Sequence, residues 1–360
     1  MTTPLSVMHE NAQLALDANL FGLDREEFER LAEEWGEARY RGRQIFSAIY
    51  GKREQDIERI TGLSRSLRAS LRSRFSVSYP EVREKLPSRD GSVRYLMSLD
   101  DNESVESVFM PEENRATLCI SSQSGCAVDC RFCFTGLMGL QRNITAGEIL
   151  GQVYAMAQDQ QFEKTARVNV VFMGMGEPLL NYGPVIKAVR ILADTEGLRI
   201  PLHRITVSTS GIIPRIRDFA REPARPKLAI SLNASNDEQR TALMPLNRKY
   251  PLNDLLSVCR EFPLGRRERL TFEYVLLKDV NDSEADAVRV AALLQGIRAK
   301  VNLIPYNSGA ALPYNAPALD RTLAFQHVLA AHHVPAFIRI SRGQDVCAAC
   351  GQLRIESQGR

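Results

Sequence analysis

The chain has 360 residues, 44% hydrophobic and 25% charged, which excludes the disordered, collagen-like and disulfide-scaffold classes and predicts two domains, or one large α/β domain with an appendage. No window approaches the roughly 18 apolar residues of a membrane span, and the start lacks the basic and apolar regions of a secretory signal, so a cytoplasmic protein without a membrane partner is expected. Net charge is only +3, yet 38 of the 46 basic residues are arginine, a side chain suited to bidentate phosphate contacts and stacking; a GC-rich coding sequence gives the same bias, and composition alone favours that reading.

The first hundred residues read as helices followed by a change of period. Asp24 caps a segment with Phe28, Leu31 and Trp35 at helical spacing, and residues 41–50 continue in the same style. A third helix is predicted over 59–74, with Leu63, Leu67 and Leu71 on one stripe and Arg65, Arg68 and Arg72 on another. No acidic residue follows Glu58 in that stretch, which makes a polyanion partner about as well supported as a solvated helix face. From Arg94 the period becomes two, predicting a pair of strands at 95–99 and 104–110. In the second of these, Glu106 alternates toward solvent.

After Arg115, strand and helix alternate. Strands are predicted at 116–122, 168–173, 204–209, 227–232, 270–277 and 300–305, with a further one at 336–341. Helices fall between them, for example at 145–158, opened by the capping box of Thr145 and Glu148, and at 284–297. Repeated βα units imply a parallel sheet with ligands at the carboxyl ends of its strands, and six units before a final strand fit a partial (β/α)6 barrel. The predicted division is a helical domain over 1–93, a β-extension over 94–115, a core over 116–343 and a C-terminal segment over 344–360.

Seven cysteines in a chain of this kind point to metal or catalytic thiols rather than structural disulfides. Cys126, Cys130 and Cys133 follow the first core strand in C-x3-C-x2-C spacing. Three thiolates leave one iron of a four-iron four-sulfur cluster without a protein ligand, free to bind a substrate. The alternative is a zinc site built from the pairs Cys130, Cys133 and Cys347, Cys350, which leaves Cys126 over. Cys259, inside a helical stretch, reads as a small buried hydrophobe. Polar residues stand at successive strand ends: Gly176 and Glu177, Ser208, Ser231 to Asn233 by way of Leu232, and Asn307.

The three-cysteine spacing resembles the signature of the radical S-adenosylmethionine (SAM) superfamily, with Phe132 before the third cysteine, and Gly174-Met-Gly176-Glu177-Pro178 resembles its loop for the methionyl amine of SAM. Arg115-Ala-Thr-Leu-Cys119-Ile-Ser-Ser-Gln-Ser-Gly-Cys126, Met173-Gly-Met-Gly-Glu-Pro-Leu-Leu-Asn181, Ser231-Leu-Asn-Ala-Ser-Asn-Asp237 and Ala348-Ala-Cys350-Gly-Gln-Leu353 together resemble the RlmN/Cfr RNA methyltransferases, from about residue 21 to the end. The resemblance implies a radical SAM barrel with an N-terminal helical RNA-binding domain and a C-terminal catalytic loop. It also implies a 4Fe-4S cluster on Cys126, Cys130 and Cys133, and SAM bound by Gly176, Glu177, Ser208, Ser231, Leu232, Asn233 and Asn307, two molecules per turnover. The implied product is an adenine methylated at C2, or at C8 in a Cfr-like enzyme, in the peptidyl-transferase loop of 23S rRNA; for RlmN, also the adenosine 3′ of the anticodon in certain tRNAs.

An adenine C2 has no lone pair with which to displace the SAM methyl group, so a radical route is required. In the family scheme the methyl moves first to Cys350, a thiolate that is a good nucleophile when its pKa is depressed. A 5′-deoxyadenosyl radical then takes hydrogen from the S-methyl group, and the resulting radical adds to the ring. Cys119 releases the product by forming a disulfide with Cys350, Glu106 resembles the proton acceptor, and an electron donor such as flavodoxin or ferredoxin is implied for a monomeric enzyme. Two departures from the family stand out: Cys347 where an acidic residue is usual, and Asn233 where many members carry histidine. A zinc-stabilised, non-catalytic RNA-binding protein is the reading of another class.

Overall fold

The computed structural model describes residues 18–162, 167–307 and 312–353, and the chain divides into two compact units, Met1–Ser78 and Tyr79–Arg360. In the first, strand β1 (Ala18–Asn19) pairs in parallel with β2 (Phe75–Ser76), and between them lie α1 (Arg25–Glu34), α2 (Arg39–Phe46) and α3 (Arg65–Arg72). Asp24 and Glu27 form a reciprocal capping box that starts α1. Gly42 sets the crossing of α1 and α2, because a Cβ there would stand 2.3 Å from the Phe28 carbonyl oxygen. A π turn at Ser47–Gly51 follows α2, and the buried Tyr50 hydroxyl accepts from Gly22 N (2.7 Å) and donates to Leu23 O (3.0 Å).

Two expectations for this unit change. The helix predicted over 59–74 begins only at Arg65, where the Ser64 hydroxyl caps it by accepting from Leu67 N, while Ile57–Arg59 form a separate 3-10 turn. The arginine stripe is also not free of carboxylate. Glu58 folds back to within 3.8 Å of Arg68 Nε and 3.6 Å of Arg72 Nη1. Arg65 and Arg72 remain exposed and Arg68 is largely covered.

The second unit is built on one ten-stranded sheet, whose strands are β3 (Glu81–Pro87), β4 (Val93–Ser98), β5 (Ser104–Glu112), β6 (Arg115–Cys119), β9 (Val168–Phe172), β10 (Ile205–Thr209), β11 (Lys227–Ser231), β12 (Leu270–Leu276), β13 (Ala299–Pro305) and β14 (Ala336–Ile338). The spatial order is β14-β13-β12-β11-β10-β9-β6-β5-β4-β3. From β6 to β14 all pairings are parallel and neighbours in space are neighbours in chain order, the layout of a partial (β/α)6 barrel. Strands β7 (Gln123–Gly125) and β8 (Leu140–Asn143) form a separate hairpin. The helices are α4 (Phe134–Leu137), α5 (Ala146–Asp159), α6 (Tyr182–Ala193), α7 (Ile213–Ala220), α8 (Asp237–Leu243), α9 (Leu252–Glu261), α10 (Glu284–Leu293) and α11 (Leu319–Ala331). No helix among the described residues is long and apolar enough to cross a membrane.

Buried apolar residues alternate along the parallel strands, for example Val170 with Phe172 and Ile205 with Val207, as the period-two pattern requires. Thr145 and Glu148 form the capping box of α5, and Gly151 in that helix lets it approach Pro80, whose Cδ would be 2.2 Å from a Cβ at 151.

The predicted boundary at 93/94 is corrected to 78/79. Residues 81–87 form β3, antiparallel to β4, at the edge of the large sheet. Its sequence, Glu-Val-Arg-Glu-Lys-Leu-Pro, carries the charges typical of an edge strand, which hide the period-two pattern.

The tip of the β3–β4 hairpin clasps the C-terminal segment. Gly343 N donates to Asp90 Oδ2 (3.0 Å), Ser88 Oγ donates to Asp345 Oδ1 (2.5 Å) and Arg89 N to Asp345 Oδ2 (3.1 Å). Burial opposes the charge of Asp90, but hydrogen bonds from Gly343 and Ser92 prevail and hold its pKa down to about 2. The folded value lies below the unfolded one, so the clasp contributes fully above about pH 4 and is lost as pH falls through about 2. Replacing Asp90 by Ala at pH 7 should speed amide exchange of the C-terminal segment roughly fivefold, the equivalent of about 1 kcal/mol after allowance for solvent screening. Hydrogen-exchange mass spectrometry on peptides spanning 342–353 checks this; unchanged exchange would show that the clasp holds nothing.

Candidate active site

The connection between β7 and β8 carries the three-cysteine motif. Cys126 N donates to Gly139 O (2.9 Å), Arg131 N to Leu243 O (2.9 Å) and Cys133 N to Cys130 O (3.1 Å). Gly125 and Asp129 have φ of 74° and 57°, and a Cβ on Gly125 would lie 1.9 Å from Gly139 O. The loop is thus a tight backbone cradle that demands glycine at that position. Cys126, Cys130 and Cys133 are half-buried, and the last two pack against buried Phe132, Leu243, Met244, Leu277 and Tyr306. Burial, with Glu177 and Cys133 adding to it and a hydrogen bond from Val128 opposing, pushes the Cys126 thiol up to about 12. Burial and the neighbouring Cys133 and Cys126 raise Cys130 as well.

In such a place a thiol loses its proton readily only to a cation that takes the proton's position. Three soft sulfur donors on one tight, glycine-dependent loop fit a 4Fe-4S cluster with one open iron.

The loops after β9, β10, β11 and β13 surround this cradle's end of the sheet. Gly176 has φ of 97°, and a Cβ on it would stand 2.6 Å from that of Gln123. Glu177 N donates to Gln123 Oε1 (2.8 Å), and its buried carboxylate accepts from Ser210 N and Oγ (both 2.6 Å) and from Leu179 N (3.0 Å). That carboxylate is occupied by protein donors, so it ties two strand-end loops together. Ser208 and Ser231 are half-exposed, whereas Leu232 and Asn233 are buried. Asn233 adopts the left-handed conformation (φ 55°) that asparagine tolerates. Its Oδ1 accepts from Val275 N (2.9 Å) and its Nδ2 lies 3.4 Å from Met244 Sδ. Asn307 donates to Cys350 O (3.4 Å) and accepts from Gln344 Nε2 (3.0 Å).

Cys119 ends β6 and lies in a buried cluster with Val108, Met175, Ala348 and Leu353. The C-terminal segment is pinned there by Phe134 N donating to Gly351 O (2.8 Å) and Thr135 Oγ1 donating to Leu353 O (2.7 Å). Cys119 and Cys350, 231 positions apart, therefore share one neighbourhood. Burial, then the charge of Cys350, raises the Cys119 pKa. All seven cysteines are free thiols.

Cys350 is exposed at the surface, but the protein atoms crowded around its sulfur, followed by Glu273, push its thiol up to about 11 against the pull of Arg339. Cys259 is buried on α9, as its helical context predicted.

Glu106 does not face solvent, contrary to the alternation reading. It is 2% exposed, because β5 is an inner strand between β4 and β6 and is covered on both faces from Ser104 to Phe109. Arg94 Nε stands 3.6 Å from Glu106 Oε1, and Arg94 Nη1 donates to Cys347 O (3.4 Å), connecting the carboxylate to the C-terminal segment. Arg94, Gln152 and Arg240 are site-supporting residues missed in the sequence. Gln152 accepts from Ser107 Oγ and Ser121 N and donates to Ser121 O; a lone amide in the apolar run of α5 was the available signal. Arg240 sits in a short polar helix that carries none.

Comparison with known proteins agrees with this geometry. Residues 120–291 match the profile of the Radical SAM superfamily, and residues 18–77 match that of the ribosomal RNA large subunit methyltransferase N-terminal domain. The chain is 49% identical to the "Probable dual-specificity RNA methyltransferase RlmN" of Koribacter versatilis, covering 89% of this chain and 97% of that one, and 45% identical to the dual-specificity RNA methyltransferase RlmN of Anaeromyxobacter sp., covering 98% and 94%. The crystal structure of a radical SAM methyltransferase from Sphaerobacter thermophilus superposes with a TM-score of 0.88 at 44% identity, over 94% of this chain and 99% of that one. With the cluster cradle, the partial barrel and the paired thiols in place, the chain belongs to the RlmN family of radical SAM RNA methyltransferases.

Proposed function

We propose that this enzyme methylates C2 of an adenosine in the peptidyl-transferase loop of 23S rRNA and C2 of the adenosine 3′ of the anticodon in some tRNAs. It works in the cytoplasm as a monomer that takes electrons from a flavodoxin or ferredoxin. The observation that carries the reading is the packing of the Cys350 segment on Cys119 beside the three-cysteine cradle. When bound, the 4Fe-4S cluster and SAM supply the radical chemistry that a carbon without a lone pair requires.

The chain's own residues divide the remaining work. Cys126, Cys130 and Cys133 hold the cluster; Gly176, Glu177, Ser208, Ser231, Leu232, Asn233 and Asn307 form the SAM-binding strand ends, with Glu177 and Asn233 serving through their backbone and their loop-fixing side chains. Cys350, exposed at the surface, carries the methyl group where RNA can reach it. Cys119, shielded from solvent, waits to resolve the bond to product. Glu106, paired with Arg94, is the proton acceptor. Mass spectrometry of adenosines from cells with and without the gene tests the whole: loss of 2-methyladenosine is expected, whereas loss of 8-methyladenosine would reassign the enzyme as Cfr-like.

Replacing Cys126, Cys130 or Cys133 by Ala should abolish the brown chromophore and SAM cleavage while the N-terminal unit stays folded. A full complement of four irons in all three single variants would overturn the cluster assignment.

For the working thiols, Cys350→Ala should yield protein without a thioether and no methylated RNA, with the cluster retained. Cys119→Ala should accumulate a covalent protein–RNA adduct on denaturing gels. The exposed Cys347, three positions before Cys350, can compete for the disulfide, so the adduct should be clearest in the double variant Cys119→Ala, Cys347→Ala. Free methylated RNA at the normal rate from that double variant rules out the resolving role.

RNA binding is assigned to the face carrying Arg65, Arg68 and Arg72, with Arg65 and Arg72 reaching solvent. Changing Arg65 and Arg72 to Gln should weaken RNA binding and flatten the slope of log affinity against log salt by roughly 0.7 to 0.9 per lost phosphate contact, with SAM cleavage unaffected. An unchanged slope in filter-binding titrations would leave these arginines as a solvated helix face.

A further inference from the structure

Arg240, on α8, is fully buried. Its Nε donates to Leu232 O (3.2 Å), its Nη2 to Ser210 O (2.6 Å) and Ser231 O (3.2 Å), and its Nη1 to Asn247 Oδ1 (3.1 Å). Three backbone carbonyls from the ends of β10 and β11 therefore converge on one planar fork, a geometry that lysine cannot reproduce. Ser210 in turn donates to Glu177, whose N–H reaches Gln123. A continuous belt thus runs from the start of the cysteine loop through the ends of β9, β10 and β11.

The charge of this side chain is unusual as well as its fork. All four of its hydrogen-bond acceptors are uncharged. Asp237 is reached only through Asn247, whose Nδ2 donates to Asp237 Oδ1 (2.8 Å). Burying a cation without a directly paired anion is costly, and negative charge held at the neighbouring cysteine loop would offset that cost. The helix that carries it reaches the cysteine loop, where Leu243 O accepts from Arg131 N (2.9 Å), and a guanidinium stays cationic at neutral pH.

We infer that Arg240 is a positioning residue with two separable parts: its fork holds the strand ends that bind SAM, and its charge, on the helix that meets the cysteine loop, favours the reduced and more negative state of the cluster. The inference rests on the assignment of the cluster to Cys126, Cys130 and Cys133, which the iron content and spectrum of the unmodified protein test independently.

The experiment uses the full cluster-loaded chain and the variants Arg240→Lys, which keeps charge and loses the fork, and Arg240→Gln, which loses charge. The readouts are the cluster midpoint potential without SAM, from a redox titration followed by electron paramagnetic resonance, and the SAM dissociation constant from equilibrium dialysis. Arg240→Gln should disfavour cluster reduction about tenfold, a fall of about 59 mV for one electron, and weaken SAM. Arg240→Lys should weaken SAM about tenfold with the potential kept near that of the unmodified protein. Unmodified potential and SAM affinity in Arg240→Gln would overturn the inference, as would equal changes of both quantities in the two variants. If Arg240→Gln does not load its cluster, Arg240→Lys decides, and unmodified SAM affinity in it overturns the role of the fork.

Discussion

The site depends on one apolar contact, the burial of Ala348 and Leu353 against Cys119, Val108 and Met175. Bringing two thiols together across 231 positions carries a closure cost that grows only logarithmically with separation, and the barrel has already met most of it by aligning β6 through β14. What remains is to hold the last short segment. The backbone hydrogen bond from Phe134 to Gly351 and the clasp of the β3–β4 hairpin tip do that. The segment is therefore attached by short-range polar contacts around a small apolar anchor.

The same end of the sheet keeps its charged groups under control by different means. The cysteine cradle is lined with Phe132, Leu277 and Tyr306, which raises its thiols and leaves them for a metal centre to ionise. Glu177 is buried but fully supplied with donors, and Arg240 is buried among uncharged acceptors. Each side chain satisfies its neighbours before any ligand arrives, so the loops do not have to be organised at the moment of binding. Glu106 is held differently, close to a guanidinium that also touches the C-terminal segment.

Much of this was legible along the chain because the signals were local. The seven parallel strands came from apolar runs bounded by turns, and α5 from its capping box. The cysteine cradle is contained in eight consecutive residues, 126–133, and its chemistry follows from donor type and spacing. The two-thiol scheme, by contrast, came from resemblance to a family and not from any periodicity. Where local pattern misled, a specific residue was responsible: the charges of Glu81, Arg83, Glu84 and Lys85 hid an edge strand, and Ser64 started a helix six residues later than its leucine stripe implied.

The sequence by itself determined the order of βα units and the three-cysteine spacing, since each is a matter of residue type and short spacing, whereas the two candidate thiols came from the family resemblance. Only the tertiary structure decided that Glu106 is buried, that Glu58 returns to the arginine stripe, that the Cys350 segment packs on Cys119, and that Arg240 joins the strand ends. These are properties of the environment a side chain meets, set by residues distant in the chain, and burial and electrostatic partners exist only once those residues have been packed together.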